Sequence, residues 1–125
     1  MQKIVKKLIE NLTSSFKVVY KNFNCQEFSP YLKRKIGAII RFDEKTVYIH
    51  TGLTEREEKL TWLHEALSVF YYQNNIFRHD EEIEKEARKM YEDSQACLIL
   101  EDYIKKYKKR IKNESRKLTK NKDDT

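Results

Sequence analysis

An α+β fold in which helices outweigh strands is what this sequence predicts, on three observations. The 125-residue chain holds only two glycines and one proline, too few for the tight turns of an all-β protein. Two β-rich runs, IGAIIRF and TVYIH, are separated by the three residues Asp43-Glu44-Lys45, a spacing that makes an antiparallel hairpin. From Thr54 onward, apolar residues recur at three- and four-residue steps, the signature of amphipathic helices. A small antiparallel sheet of about three strands, packed on one long central helix and a second long C-terminal helix, satisfies all three.

The chain opens with Ile4, Leu8 and Leu12 at helical spacing through KIVKKLIENL, with Lys3, Lys6, Lys7 and Glu10 on the other side, so a short amphipathic helix is expected first. FKVVYKNF is β-branched and aromatic and suits a strand. Ser29-Pro30 carries a helix-start signature, cap then first-turn proline, so YLKRK is expected to form a single turn before the hairpin. Gly52 breaks the extended run, and Thr54 with Glu57 makes a T-x-x-E capping box that opens a helix to about Asn74. Leu60, Leu63, Leu67 and Phe70 form its core stripe, and Trp62, Phe70, Tyr71 and Tyr72 are expected to pack on the core and the sheet. Asp80 is expected to cap the second long helix, with Glu81 and Glu82 at its positive dipole end. Ile83, Ala87 and Met90, then Cys97, Ile104, Tyr107 and Ile111, carry the apolar stripe onward. One domain over 1–112 and a basic tail without fixed structure over 113–125 follow from that pattern.

Charge is unevenly placed. Of 26 basic and 20 acidic residues, ten and three fall between Lys105 and Thr125. That segment is therefore near +7, and the remaining 16 and 17 leave the body near −1. No apolar run reaches the roughly 18 residues of a membrane span, and the first residues lack the apolar block of a signal peptide. A soluble, cytoplasmic protein is expected, with no membrane partner. Cys25 and Cys97 form no CxxC pair, which points to two reduced thiols and away from a disulfide framework or a thiolate zinc site.

The chemistry-bearing signal is His64-Glu65 in the middle of the central helix. In an HExxH site two histidines four residues apart hold zinc on one helical face, and the glutamate takes a proton from the metal-bound water. Here the fourth residue on is Ser68. On residues alone, His64-Glu65 has a second reading, a partly buried histidine beside a solvated glutamate on an amphipathic helix. Glu81, Glu82, Glu84 and Glu86 read as an acidic helix face paired with Lys85, Arg88 and Lys89. His50, at the end of its strand, reads as structural or exposed.

The order VYIHTGLTEREEKLTWLHEALSVFYY followed by EEIEKEARKMYED resembles the ImmA/IrrE-type HExxH zinc metallopeptidases. These have a strand, a short loop, a helix bearing HExxH and a later helix with an E-x-x-A type third ligand. The resemblance covers about residues 1–100 and departs from the family at Ser68, where the second ligand is expected. It implies a zincin-like domain with His64 as first zinc ligand, Glu65 as the catalytic base and Glu84, three residues before Ala87, as third ligand. Glu82 and Glu86 are the alternatives one register away, and His79, between the helices, is the histidine placed to replace the missing nitrogen. A serine hydroxyl is a poor zinc ligand.

Two functions follow from the resemblance: a variant-site, weakened zinc endopeptidase acting on a protein substrate such as a DNA-binding repressor, or a non-catalytic relative that works by protein contact. The basic tail adds a third, non-specific attraction to nucleic acid.

Overall fold

The computed structural model describes residues 2–23, 28–30 and 34–123. The chain runs α1 (Gln2–Ser15), β1 (Lys17–Lys21), β2 (Phe28–Ser29), β3 (Arg34–Lys35), β4 (Ala38–Arg41), β5 (Thr46–His50), α2 (Glu55–Gln73), α3 (Asp80–Tyr91) and α4 (Ser94–Asp123). An α+β fold with a three-stranded sheet on helices is the observed architecture. No helix among the described residues is long and apolar enough to cross a membrane.

The β4–β5 hairpin forms as its spacing predicts, with Ala38 opposite Ile49 and Arg41 opposite Thr46. Lys45 takes a left-handed φ of 49° to close the turn. The third strand corrects the expectation of an antiparallel sheet. β1 lies parallel to β5, Lys17 beside Thr46 and Lys21 beside His50, so the sheet is mixed in the order β1-β5-β4. The chain leaving β1 reaches the far edge before the hairpin turns back, which drops β5 into the middle and aligns it with β1.

β2 and β3 pair separately, Phe28 with Lys35 and Ser29 with Arg34. The helical turn expected over YLKRK is corrected at Arg34 and Lys35, which are strand; residues 31–33 lie outside the described residues, as does Cys25. Immediately after β3, Gly37 lies against α2: a Cβ there would stand 2.5 Å from Thr61 Oγ1. Only glycine permits that approach, and it brings the β3 end of the chain onto the helix.

α2 is the axis of the domain. Its capping box is present, Thr54 accepting from Glu57 N–H and the Glu57 carboxylate from Thr54 N–H. Residues 59–67 of α2 are all buried, because α1, α3, α4 and strands β4 and β5 pack around it. Trp62 sits at the centre, fully buried, donating to Tyr20 Oη at 2.8 Å and meeting the Tyr107 ring edge-on. At the end of α2, Phe70 and Tyr72 are exposed, Tyr72 stacking on Phe42 beside the sheet with ring centroids 4.2 Å apart, while Tyr71 packs partly against the core.

The second long helix is two helices. Asp93 Oδ1 accepts from the backbone N–H of Gln95 and Ala96, each at 3.0 Å, so an aspartate cap starts α4 afresh after α3 ends. Leu100, Ile104 and Tyr107 then bury against the core, and Ile111 packs partly against it. Tyr107 Oη ties α4 to β1, accepting from Val18 N at 3.1 Å and donating to Val18 O at 3.3 Å. The basic segment continues α4 as far as Asp123, consistent with the helix propensity of its Lys, Arg, Glu and Leu residues. Cys97 is a free thiol whose S–H donates to Tyr91 O.

Candidate functional site

The residues singled out in the sequence meet where α2 and α3 cross. α2 carries His64 and Glu65 inward, and α3 presents Glu84 from its inner face beside Ile83 and Ala87. Glu84 is 2% exposed and His64 4%, with His64 Nδ1 and Glu84 Oε1 3.0 Å apart. Of the three glutamates open to the role, the structure places Glu84 at this contact. Glu82 is exposed, ion-paired with Arg78, and Glu86 accepts from Tyr71 Oη at 2.7 and 2.8 Å.

Ser68 and His79 stand apart from this contact. Ser68 turns its hydroxyl back along α2 and donates to His64 O at 3.0 Å, a local helix bond that removes it from the contact. His79 is exposed at the N-cap of α3 with its ring edge-on to Phe77, and does not join His64. His50 is buried at the sheet end, where Nδ1 accepts from Phe23 N at 3.0 Å and the ring stacks on Phe23, a structural role. Among the described residues, no group of three or more His, Cys, Asp and Glu side chains is arranged to hold a metal ion.

A cation from the strand segment completes the contact. Arg34, itself buried, donates to Glu84 through Nε at 2.7 Å and Nη2 at 3.0 Å, the two-pronged geometry in which guanidinium best matches carboxylate. Its Nη1 donates to Thr61 Oγ1 at 3.3 Å. Arg88 Nε adds a second cation 3.5 Å from Glu84 Oε2, and Asp80 stands 3.7 Å from His64 Nε2 at the solvent side. Asp80 was expected to cap α3, but His79 takes the cap position and makes no side-chain cap bond, leaving Asp80 in the first turn facing His64.

These partners set the protonation states. Burial is the largest single influence on Glu84 and acts to raise its pKa, yet the hydrogen bonds from His64 and Arg34 and their charges hold it down at about 2. Burial likewise acts to lower the His64 pKa, and Asp80, Glu84 and the nearby charge of Glu65 together lift it to about 9. Both shifts favour the charged forms, an imidazolium at His64 facing a carboxylate at Glu84. Glu65 is buried, and that burial pushes its carboxyl upward against the lowering influence of His64.

Sequence reasoning found His64 and Glu84 and missed Arg34, Asp80 and Thr61. The signal that could have raised Arg34 is indirect: a buried carboxylate facing a histidine needs a compensating cation. Lys33, Arg34 and Lys35 are adjacent, and nothing in their order selects the middle one. No family model matches the chain, and comparisons with curated proteins and with solved structures yield no match.

Proposed function

We propose that the chain is a non-catalytic relative of the HExxH metallopeptidases that works as a protein-binding module, with an internal ion cluster standing where a zinc centre would be. The observation that carries this reading is the two-pronged Arg34–Glu84 bond. The positive charge a third-ligand glutamate would meet in a metal ion is supplied by the guanidinium, and the first-ligand histidine is held by the same carboxylate in its protonated form. A metal would have to displace both. The proton that this contact favours on His64 competes with a metal for the ring nitrogen. The peptidase reading asks for Glu84 to be released from Arg34 and for a nitrogen donor at position 68.

The test is a zinc titration by competition with a chelating dye. The natural protein should bind no more tightly than its Glu84→Ala variant. Ser68→His alone should add little while Arg34 holds Glu84, and Arg34→Ala with Ser68→His should gain at least about tenfold. Tight zinc binding by the natural protein that Glu84→Ala removes would overturn the non-catalytic reading in favour of a variant-site enzyme.

A further inference from the structure

The positive charge of the chain is gathered on one element. From Lys105 to Lys122 the sequence has ten Lys and Arg residues against the single acid Glu114, a net charge near +9, while residues 1–104 are near −1. The whole of that segment is helical, the second half of α4. The charge is therefore strung along a rod about 27 Å long, at 1.5 Å per residue, and not along a tail without fixed structure.

Some of these cations are already engaged. Lys105 pairs with Glu101 at 3.2 Å, Lys106 with Asp102 at 2.9 Å and Lys108 with Glu58 at 2.7 Å, and Arg110 lies over the Tyr107 ring. Lys109 and Lys112 are exposed and make no ion pair among the described residues. Leu100, Ile104 and Tyr107 give α4 its core face. Lys105, Lys109 and Lys112, at steps of four and three, fall on the side turned away from it, and the sequence repeats that spacing at Arg116 and Lys120. Like charges four residues apart destabilise a helix. Since α4 makes its last described core contact at Ile111, no described packing offsets that repulsion further on, and an extended anion laid along this side relieves it.

The chemistry of the segment selects the anion. Beyond Ile111 its one apolar residue is Leu118, so it lacks the apolar stripe that an interfacial helix buries in a membrane. Tyr103 and Tyr107, the tyrosines within reach, are turned inward: Tyr103 Oη lies 2.6 Å from Thr13 Oγ1, and Tyr107 is buried and bonded to Val18. Unpaired bases find no stacking platform there. A duplex, with its regular rows of phosphates, matches evenly spaced cations on a rod. We infer that the C-terminal half of α4 is a contact for duplex nucleic acid, Lys109, Lys112 and the basic positions that follow them lying along the phosphate backbone without reading sequence. The contact uses none of the buried ion cluster, so it stands or falls independently of the function proposed above.

Fluorescence anisotropy of a labelled duplex of about 20 base pairs, titrated with the full chain at salt from about 50 to 200 mM, tests this. The logarithm of the binding constant should fall linearly with the logarithm of salt concentration with a slope of about −3.6, roughly 0.9 for each of four phosphates. Deleting residues 113–125, or combining Lys109→Glu with Lys112→Glu, should bring the slope to about −1.8 and weaken low-salt binding at least about tenfold. Lys6→Glu with Lys7→Glu makes the same change of net charge at exposed positions of α1 and should leave affinity within about twofold. A duplex of unrelated sequence should bind equally. No duplex binding at the lowest salt, an equal loss from the α1 pair, or tighter binding to the matching single strand or to phosphatidylserine vesicles would each overturn the proposal.

Discussion

Replacing Glu84 by glutamine keeps the shape of the side chain and removes the one negative charge that Arg34 and His64 share. Breaking one partner out of a buried ion pair costs about 3–5 kcal/mol, because the remaining charge stays desolvated. Glu84, at 2% exposure with both carboxylate oxygens engaged, belongs at that end of the range. The pH dependence sharpens the expectation. His64 is raised from 6.5 to about 9 in the folded state, so its contribution is complete below about pH 6.5 and is lost as pH rises through about 9. A shift of about 2.5 pH units corresponds to roughly 3 kcal/mol. Glu84 is lowered to about 2, so its contribution is present above about pH 4.5 and lost as pH falls through about 2. Both shifts describe one cluster and are not added together. Urea unfolding followed by fluorescence of the single tryptophan, buried Trp62, would measure this directly. Glu84→Gln should cost about 3–5 kcal/mol at pH 6, and the gap to the natural protein should narrow by pH 9.5 by less than the roughly 3 kcal/mol of the whole shift, because Asp80 and Glu65 stay beside His64. A gap below about 1 kcal/mol at pH 6, or one that does not change with pH, would refute a buried charged cluster at this contact.

Other expectations follow from the packing. Removing residues 113–125 should leave the thermal midpoint unchanged within a degree or so, because α4 makes its last described core contact at Ile111; it should weaken any low-salt binding to nucleic acid in a mobility-shift assay. Thr54→Ala removes the capping-box hydroxyl from α2 and should cost about 1 kcal/mol in urea unfolding. Leu63→Ala, at a fully enclosed position of α2, should cost roughly 2–5 kcal/mol by the same measurement.

The features legible in the sequence are those written in local chemistry. The capping box at Thr54, the β4–β5 hairpin and the core stripe of Leu60, Leu63 and Leu67 depend on neighbours within a few residues, and the structure has them. The His64–Glu84 contact was legible because two successive helices joined by a short link pack their apolar residues together, and those residues lie beside the apolar positions of α2 and α3. Strand direction was not legible, since the FKVVYKNF run suits either orientation and the path after β1 decides it. The break at Asp93 was hidden because the apolar stripe continues across it, while the cap that makes it is one carboxylate turned onto two N–H groups. Arg34 was the deepest omission, because its significance lies 50 residues away along the chain.

That omission bears on what holds the site together. Ser68 bonds back to its own helix and takes no part in it. Without Arg34, Glu84 would stay buried and charged against His64 and the longer Arg88 contact, an arrangement that costs several kcal/mol unless a closer cation completes it. Arg34 does so from a segment that Gly37 allows to lie against Thr61, and in doing so it ties β3, α2 and α3 together at one point. The cluster therefore does for the fold what a structural ion would do, joining three elements through one centre of charge. Of its members, Arg34 is the one whose removal tests whether the His64–Glu84 contact has any affinity for metal.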